Sequence, residues 1–502
     1  MTNIAQALVN LGHLGNILAL LGGIFFGLIS GAVPGVSGLM AVVLLIPLTY
    51  SMPVDTAFLL LSSVYCASVF SGSISAILFR TPGAPEAVMT TLDGYEMTKK
   101  GRATEALGIS IFSSAIGGLF GTLILILVAP QLAKLALEFG SPEYFALAVV
   151  GLSVIVVLGA NNLVKALLAG LFGLFLATVG IDPMTGVPRF TFGVSSLLSG
   201  VDFIPVLIGL FAISEVLRRF QQNLKHFDYK GKVSSTLPGV KMIRRLFGTI
   251  LRSSLLGTFI GILPGIGATT ASMVSYTEAV RWSKRPEAFG TGLEEGVAAP
   301  EAANNAAANG AMVPLLALGI PGSATTAVML GAFVLHGLKP GPMLFATQPL
   351  FVNTLFLGLF FSNFLILFMA KPFIKVFANI IKVPYSILGT LILLLCIIGS
   401  YAIRNNILDV WMTLAFGVVG YVLERFKYPL APVILGLVLG GMAEQELRRS
   451  LTISEGSWMI FLQSPICLGL LVGGAVMMLW PVFLRFWKSF SANGSPAEMK
   501  EG

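Results

Sequence analysis

Asn304, Asn305 and Asn309 stand in PEAANNAAANGAMVPLLALGIPGSATT (300–326), a stretch otherwise dominated by Ala, Gly and aliphatic residues. Amides removed from water are expensive unless paired, so three of them in one apolar run point to a polar task. Pro321-Gly322 then breaks the run, and Ser323, Thr325 and Thr326 follow the break at once. A second block, SGSISAILFRTPGAPEAVMTTLDGY (71–95), repeats the pattern with Ser71, Ser73, Ser75, Thr81, Pro82 and Gly83. Thr81-Pro82-Gly83 matches Ile320-Pro321-Gly322, and Asp93-Gly94 matches His336-Gly337. A broken helix exposes N–H groups at one new end, and these attract an anion such as a carboxylate. The other new end exposes carbonyls, which coordinate a small cation such as Na+. No Lys or Arg falls in the stretch from Pro300 to Leu338, before Lys339. Neutral dipoles would therefore supply most of the attraction, which suits a site that must release what it binds. The hydroxyls have a second reading, close helix packing, where Gly, Ala, Ser and Thr are the usual residues.

A different break precedes each block. GAVPGVSG (31–38) and GILPGIGATT (261–270) align at a constant offset, so that Gly27, Gly31, Pro34 and Gly35 fall on Gly257, Gly261, Pro264 and Gly265. Pro removes a backbone donor and clashes with the preceding turn, and Gly costs about 1 kcal/mol against Ala inside a helix. One copy would read as a plain turn between two full spans. Two copies at a matched offset, flanked by Ser37 in one and by Gly267 and Thr269 in the other, favour a hairpin that enters the membrane and returns.

The elements that must position these residues are transmembrane helices. The chain has 502 residues, 56% hydrophobic and 11% charged, with mean hydropathy +0.89; a soluble domain carries about 25% charged residues. Runs such as LFLGLFFSNFLILFMA (355–370) are continuously apolar, unlike the alternating segments of a β-barrel. The fold class expected is an all-α polytopic membrane protein with 11–13 hydrophobic segments, surrounded by a lipid bilayer. Basic residues orient such a chain, so a pI of 9.4 does not argue for nucleic acid. Cys66, Cys396 and Cys467 have neither metal nor disulfide spacing. The first Lys or Arg is Arg80, so no cleaved signal peptide is expected.

The basic segment 218–245 is placed in the cytoplasm. Crossings are expected near 56–79, 104–128, 145–160, 166–180 and 196–214, and near 297–335 (long and broken), 343–370, 383–403, 406–423, 428–446 and 458–482. This puts 24 of 31 basic residues inside. Five crossings between the hairpins invert the second copy, the pattern of an inverted-topology repeat. The domains read as 1–217, first repeat; 218–245, linker; 246–450, second repeat; and 451–502, a C-terminal helix and tail. Glu294, Glu295 and Glu301 are expected in water near the cytoplasmic end, with Glu301 the one carboxylate considered for proton or Na+ work. His336 is expected at the outer surface. In GIDPMTGVPRFTFG (180–193), an outer loop, Asp182 and Arg189 are expected to pair across a turn.

These residues carry a resemblance. GxxxGxxPG in both halves, TPGAPEAVMTTLDGY, GIDPMTGVPRFTFG and above all APEAANNAAANGAMVPLLALGIPGSATTAVMLGAFVLHGLKPGPMLF (299–345) resemble the large membrane subunit, TctA, of the tripartite tricarboxylate transporters, over about residues 20–440. The resemblance implies a multi-pass secondary transporter of the bacterial inner membrane. It implies tri- or dicarboxylate substrates, a periplasmic solute-binding protein and a small four-helix membrane subunit as partners, and Na+ or H+ coupling without ATP. It places the substrate path at Pro34, Gly35, Pro264, Gly265, Pro321, Gly322 and Ser323. Ser37-Gly38 stands where Gly-Gly is usual in the family. No cofactor is expected beyond the coupling ion, and a homodimer and an elevator-like motion are compatible with it. The competing readings are an anion channel or uncoupled facilitator, which would want rings of charge, and an enzyme. Neither a Ser/His/Asp set, a GxSxG nor a Walker-type Gly-Lys-Ser/Thr loop is present.

Overall fold

Long runs of Leu, Ile, Val, Phe and Ala satisfy their backbone locally only as helices, and helices are what the chain forms. The computed structural model describes residues 2–33, 36–158, 162–182, 184–221, 236–380 and 385–492. Pro34, Gly35, most of the basic linker and the C-terminal tail lie outside the described residues. In chain order the helices are α1 (Thr2–Leu11), α2 (Leu14–Ala32), α3 (Gly38–Thr49), α4 (Val54–Phe79), α5 (Thr90–Lys99), α6 (Ala103–Ala136), α7 (Ser141–Leu158) and α8 (Leu163–Ala177). A short hairpin, β1 (Gly180–Ile181) with β2 (Pro188–Arg189), separates them from α9 (Phe203–Leu207), which runs through a π-turn at Ile208–Ile213 into α10 (Ser214–Gln221). Then come α11 (Val240–Ile262), α12 (Gly267–Trp282), α13 (Glu295–Gly310), α14 (Met312–Leu318), α15 (Ala324–Leu335) and α16 (Pro342–Thr347). The chain ends with α17 (Pro349–Ile380), α18 (Tyr385–Arg404), α19 (Ile407–Arg425), α20 (Ala431–Ile453), α21 (Ile460–Gln463) and α22 (Pro465–Ala492).

Among the described residues five helices are long and apolar enough to cross a membrane: Leu14–Ala32, Val54–Phe79, Ala103–Ala136, Pro349–Ile374 and Ile407–Arg425. Shorter apolar helices accompany them, and the protein is a multi-pass, all-α membrane protein. The helices follow the expected segments with three local differences, the first being that the segment expected at 343–370 is split at Gln348 between α16 and α17. The segment expected from 196 starts at Phe203, after a 3-10 turn at Ser195–Leu197 and a left-handed Gly200. The segment expected at 458–482 is split at Ser464-Pro465.

Two compact units form. One holds Met1–Glu138 and Asp202–Phe426; the other holds Phe139–Val201 and Lys427–Gly502. The second unit packs α20 on α7 and α8 and α22 on α7, with Gly173 against the backbone of Val433. It also carries an ion-pair cluster. Asp182 and Arg189 lie 3.6 Å apart, as the sequence suggests, and Arg448 adds a contact of 2.7 Å to the same carboxylate. The Met184 N–H, Arg448 and the Thr185 N–H hold the Asp182 carboxyl below the usual carboxylate range.

The first unit contains every break identified above. Its packing repeats itself. A Cβ on Gly27 or Gly31 of α2 would meet the carbonyl oxygens of Val64 and Ser68 on α4 at 2.5 and 2.1 Å. On Gly257 or Gly261 of α11 it would meet those of Ala303 and Ala307 on α13 at 2.2 and 2.3 Å. Only glycine permits helices this close. In each half, then, the arm before the Pro-Gly motif lies against the helix that leads to the next break.

Candidate functional site

The four breaks are made by matched devices. The residue before proline is pushed out of the helical region, and Val33 (ψ 116°) and Leu263 (ψ 120°) end α2 and α11 in nearly the same extended conformation. After Pro264 the chain turns through left-handed Gly265 and Gly267 and restarts as α12. The second pair of breaks uses a left-handed residue two positions before proline: Arg80 (φ 58°) ends α4 and Gly319 (φ 74°) ends α14. Ser323 then caps α15 in a reciprocal box with Thr326. The resulting pieces are short. At about 1.5 Å per residue the 12-residue α3 and α15 run about 18 Å, and the 16-residue α12 and α13 about 24 Å. A hydrocarbon core is about 30 Å thick, so none of the four spans it alone.

The breaks meet. The Gly265 N–H donates to the Gly322 carbonyl at 3.0 Å, which seats the second Pro-Gly turn on the Pro321-Gly322 break. A Cβ on Gly83 would lie 1.9 Å from the Gly31 carbonyl oxygen, which seats the first hairpin on the Pro82-Gly83 break. The halves also touch each other, since the Tyr65 hydroxyl of α4 lies 3.3 Å from Ser323 Oγ. Here lies a narrow cleft, too tight in this conformation to admit a water molecule, lined by Gly38 and Leu39, Tyr65, Ser68 and Val69, Ala84 and Glu86, and Thr325. Two helix N-termini reach it, α3 at Gly38 and α15 at Thr325. Ser37 and Ser323 cap the third N–H of each helix, and helix geometry leaves the first ones without an intrahelical acceptor. Both macrodipoles present their positive ends.

Beside the cleft lies a buried polar network. Asn304 Nδ2 donates to the Glu86 carbonyl at 3.2 Å, and Asn305 Nδ2 donates to Asn304 Oδ1 at 2.8 Å. Glu301 is fully buried and accepts from Thr90 (2.5 Å), Ser114 (2.9 Å), Ser110 (3.4 Å) and Asn304 (3.5 Å). The expectation that Glu294, Glu295 and Glu301 sit in water is therefore corrected. α5 and α6 cover Glu301, Glu295 is half-buried, and Glu294 is bound by Arg102 and by Arg245 at 3.0 Å. Burial raises the Glu294 carboxyl, but its own backbone N–H and the two arginines outweigh that and hold it below its ordinary value.

The other residues singled out from sequence divide. Thr325 lines the cleft and Ser323 meets its Tyr65, a Cβ on Gly267 would lie 3.9 Å from Ser323 Cβ, and Pro82-Gly83 directly precede the lining residue Ala84, while Gly265 is bonded to Gly322 just before Ser323. Ser73 joins the Glu301 network through Ser110 at 2.6 Å. Ser71 and Ser75 bond to nearby backbone carbonyls (Gly27 and Gly72), the packing reading of a serine. Thr81 bonds to the Phe79 carbonyl at 3.4 Å, and Thr269 is half-buried on α12. Asn309 is away from the cleft contacts, where its Oδ1 accepts from Thr122 at 3.1 Å and Asn363 at 3.5 Å. His336 is half-buried and lies 3.2 Å from Thr49 Oγ1. Among the described residues no group of three His, Cys, Asp or Glu side chains gathers to hold a metal.

Sequence reasoning missed Tyr65, Thr90, Ser110, Ser114, Thr122 and Asn363, because nothing near them in sequence shows that the fold brings them to Ser323, Glu301 or Asn309. It also missed the role of Asp93. That buried carboxylate accepts from the Gly292 and Leu293 N–H groups (2.8 Å each), the Gly290 N–H (3.0 Å) and the Tyr276 hydroxyl (2.8 Å). It ties the loop before α13 to α5. The available signal was the Asp-Gly pair itself, since Gly94 lets α5 lie against Ile77.

Comparison with known proteins gives a consistent assignment. A family profile described as the tripartite tricarboxylate transporter TctA family matches residues 17–435. The chain is 38% identical over 459 residues, 91% of each chain, to an uncharacterized 52.8 kDa protein in the TAR-I ttuC' 3' region of Agrobacterium vitis. It is 40% identical over 223 residues, 44% of this chain and 92% of the other, to an uncharacterized protein in the TAR-II ttuC' 3' region of the same organism. No solved structure matches it.

Proposed function

The chain belongs to the tripartite tricarboxylate transporter TctA family, and from that premise we propose that it is the subunit through which a di- or tricarboxylate enters the cell. The observation that carries this reading is the cleft at which two helix N-termini, α3 and α15, meet the Tyr65 and Ser68 hydroxyls. One carboxylate group of the substrate accepts from the free N–H groups of α3 and a second from those of α15, with Ser323 and Thr325 beside them. Attraction comes from dipoles rather than from a fixed Lys or Arg, so the anion is held without being trapped. Glu86 and Tyr65 narrow the cleft and set the size of what fits.

The membership implies a tripartite system with a periplasmic binding protein and a small membrane subunit; we place the assembly in the bacterial inner membrane. Accumulation of an anion against the membrane potential needs a coupled cation, Na+ or H+, and no ATP site is present in the sequence. The two hairpins and their breaks read as an inverted repeat. In support, residues at two fixed offsets make equivalent glycine contacts in both halves. A mobile body carrying both hairpins would expose the cleft to each side in turn. The test is uptake of labelled citrate and other carboxylates into proteoliposomes holding the large and small subunits. Binding protein and Na+ or proton gradients are supplied or withheld. Uptake that needs no gradient and no binding protein would replace this reading with a facilitator or channel.

A further inference from the structure

Resting on the uptake function just described, we propose that Glu301 is the group that carries a proton with the substrate. Glu301 is fully enclosed between α13, α5 and α6. Its partners are three hydroxyls and one amide, at 2.5 to 3.5 Å. Among the described residues no Lys, Arg or His pairs with it.

The charged and titratable groups on the elements around it are engaged elsewhere. On α5, Asp93 holds the loop before α13 and Glu96 pairs with Lys99. On α6, Arg102 is bound to Glu105 and Glu294; on α11, Arg245 is bound to Glu294. On α12, Tyr276 donates to Asp93; on α4, Tyr65 meets Ser323 and Cys66 meets Asn309. Glu86, just before α5, offers its backbone carbonyl to Asn304. Lys134, Lys241, Arg244, Arg252 and Arg281 are exposed.

A lone buried carboxylate with no counter-charge is expensive, whereas a neutral acid is not. The neighbours serve both forms. As an anion Glu301 accepts from all four donors. As an acid its O–H donates to Thr90 Oγ1, which turns its own hydrogen away. Ser110 is 2.6 Å from Ser73, which in turn bonds to the Phe70 carbonyl at 2.7 Å, so these hydroxyls also have alternative partners. An arginine partner would have fixed the anion, and apolar neighbours would have fixed the acid. A set of rotatable hydroxyls fixes neither.

The hydroxyl oxygens of Thr90, Ser114 and Ser110 already sit at hydrogen-bonding distance from the carboxylate, 2.5 to 3.4 Å, an arrangement that takes up a proton without being rebuilt. Asn304 links Glu301 to Glu86 and so to the cleft wall. In the cycle a hydronium ion on the outer side gives its proton to a Glu301 oxygen and becomes water. The acid crosses with the bound anion. On the inner side the O–H bond breaks and the proton returns to water.

The test uses the full chain with its small membrane subunit. Infrared difference spectra in nanodiscs, which need no substrate, should contain a protonated-carboxyl band at neutral pH. That band should be absent in Glu301→Gln and displaced in Ser114→Ala, which removes one hydrogen bond and leaves the fold in place. In proteoliposomes with binding protein, Glu301→Gln should lose accumulation driven by a pH gradient but retain exchange of labelled for unlabelled citrate or whichever panel carboxylate the wild type takes up. A band that neither variant alters, one that NaCl abolishes where KCl does not, or full pH-driven accumulation in Glu301→Gln would overturn the proposal. No carboxylate uptake by the wild type, with the Glu301 band in place, would instead overturn the uptake reading on which it rests.

Discussion

Gly248 and Gly261 lie on the same helix, α11, and the structure predicts opposite outcomes for alanine at the two. At Gly248 a new Cβ meets nothing within 4 Å, so only helix propensity acts, and Gly248→Ala should stabilise by about 1 kcal/mol. At Gly261 the Cβ falls 2.3 Å from the Ala307 carbonyl oxygen and 2.7 Å from its Cα. Both are backbone atoms of a packed helix and no side chain can swing aside. Restoring an ordinary contact of 3.4 Å moves α11 and α13 apart by 1.1 Å, the difference of the two distances. Overpacking on this scale costs about 1–3 kcal/mol, against the same propensity gain of about 1 kcal/mol. The net is a loss of as much as about 2 kcal/mol. The same displacement pulls the Pro264-Gly265 turn from Gly322, so uptake should fall further than stability does. Thermal unfolding of the purified protein, followed by size-exclusion recovery, ranks the variants beside wild type. The reasoning is refuted if Gly261→Ala melts at or above Gly248→Ala.

Asp93→Asn should cost about 1–3 kcal/mol, because an amide donor replaces an acceptor facing the Gly290 N–H and the Tyr276 hydroxyl; faster trypsin cleavage at Lys284 would report the released loop. Asn305→Ala and Gly265→Leu should each abolish uptake while membrane insertion, read by expression in the membrane fraction, is kept; Gly265 is left-handed, a conformation that costs other residues about 1–2 kcal/mol. Asp182 has a folded-state pKa below its ordinary value of about 4. Its stabilising contribution is therefore present above about pH 4 and lost as pH falls through the folded value. Arg448→Ala removes one of the groups that hold it low, so the acid transition, followed by tryptophan fluorescence, should begin at a higher pH than in wild type.

Repetition made the architecture legible. The Pro-Gly turns, the Thr-Pro-Gly and Ile-Pro-Gly breaks and the matched glycines follow from residues with strong backbone preferences, and those preferences are local. Ser323 was legible as a hydroxyl at a break, but its role as the cap of α15 in a reciprocal box with Thr326 was not read from the sequence. Glu301 was misplaced because its environment is set by distant residues: nothing in APEAANN reveals that Thr90, Ser110 and Ser114 come from elsewhere in the chain to cover it. Asn309 reads like its neighbours Asn304 and Asn305, yet it lies about one turn further along α13 and bonds to Thr122 and Asn363 instead. Ser71 and Ser75 look like binding hydroxyls in sequence, but each has a backbone carbonyl within reach on its own or a neighbouring helix. Which of several hydroxyls faces a cavity is decided by helix rotation, which local sequence does not fix.

The most direct test of the central claim is gradient-driven uptake into proteoliposomes containing this chain and its small membrane partner, with labelled citrate and a panel of other carboxylates. The account predicts uptake of at least one carboxylate that requires both the loaded binding protein and a cation gradient, and that Gly265→Leu abolishes it. Equal uptake with the gradient collapsed, or undiminished uptake in Gly265→Leu, would contradict it.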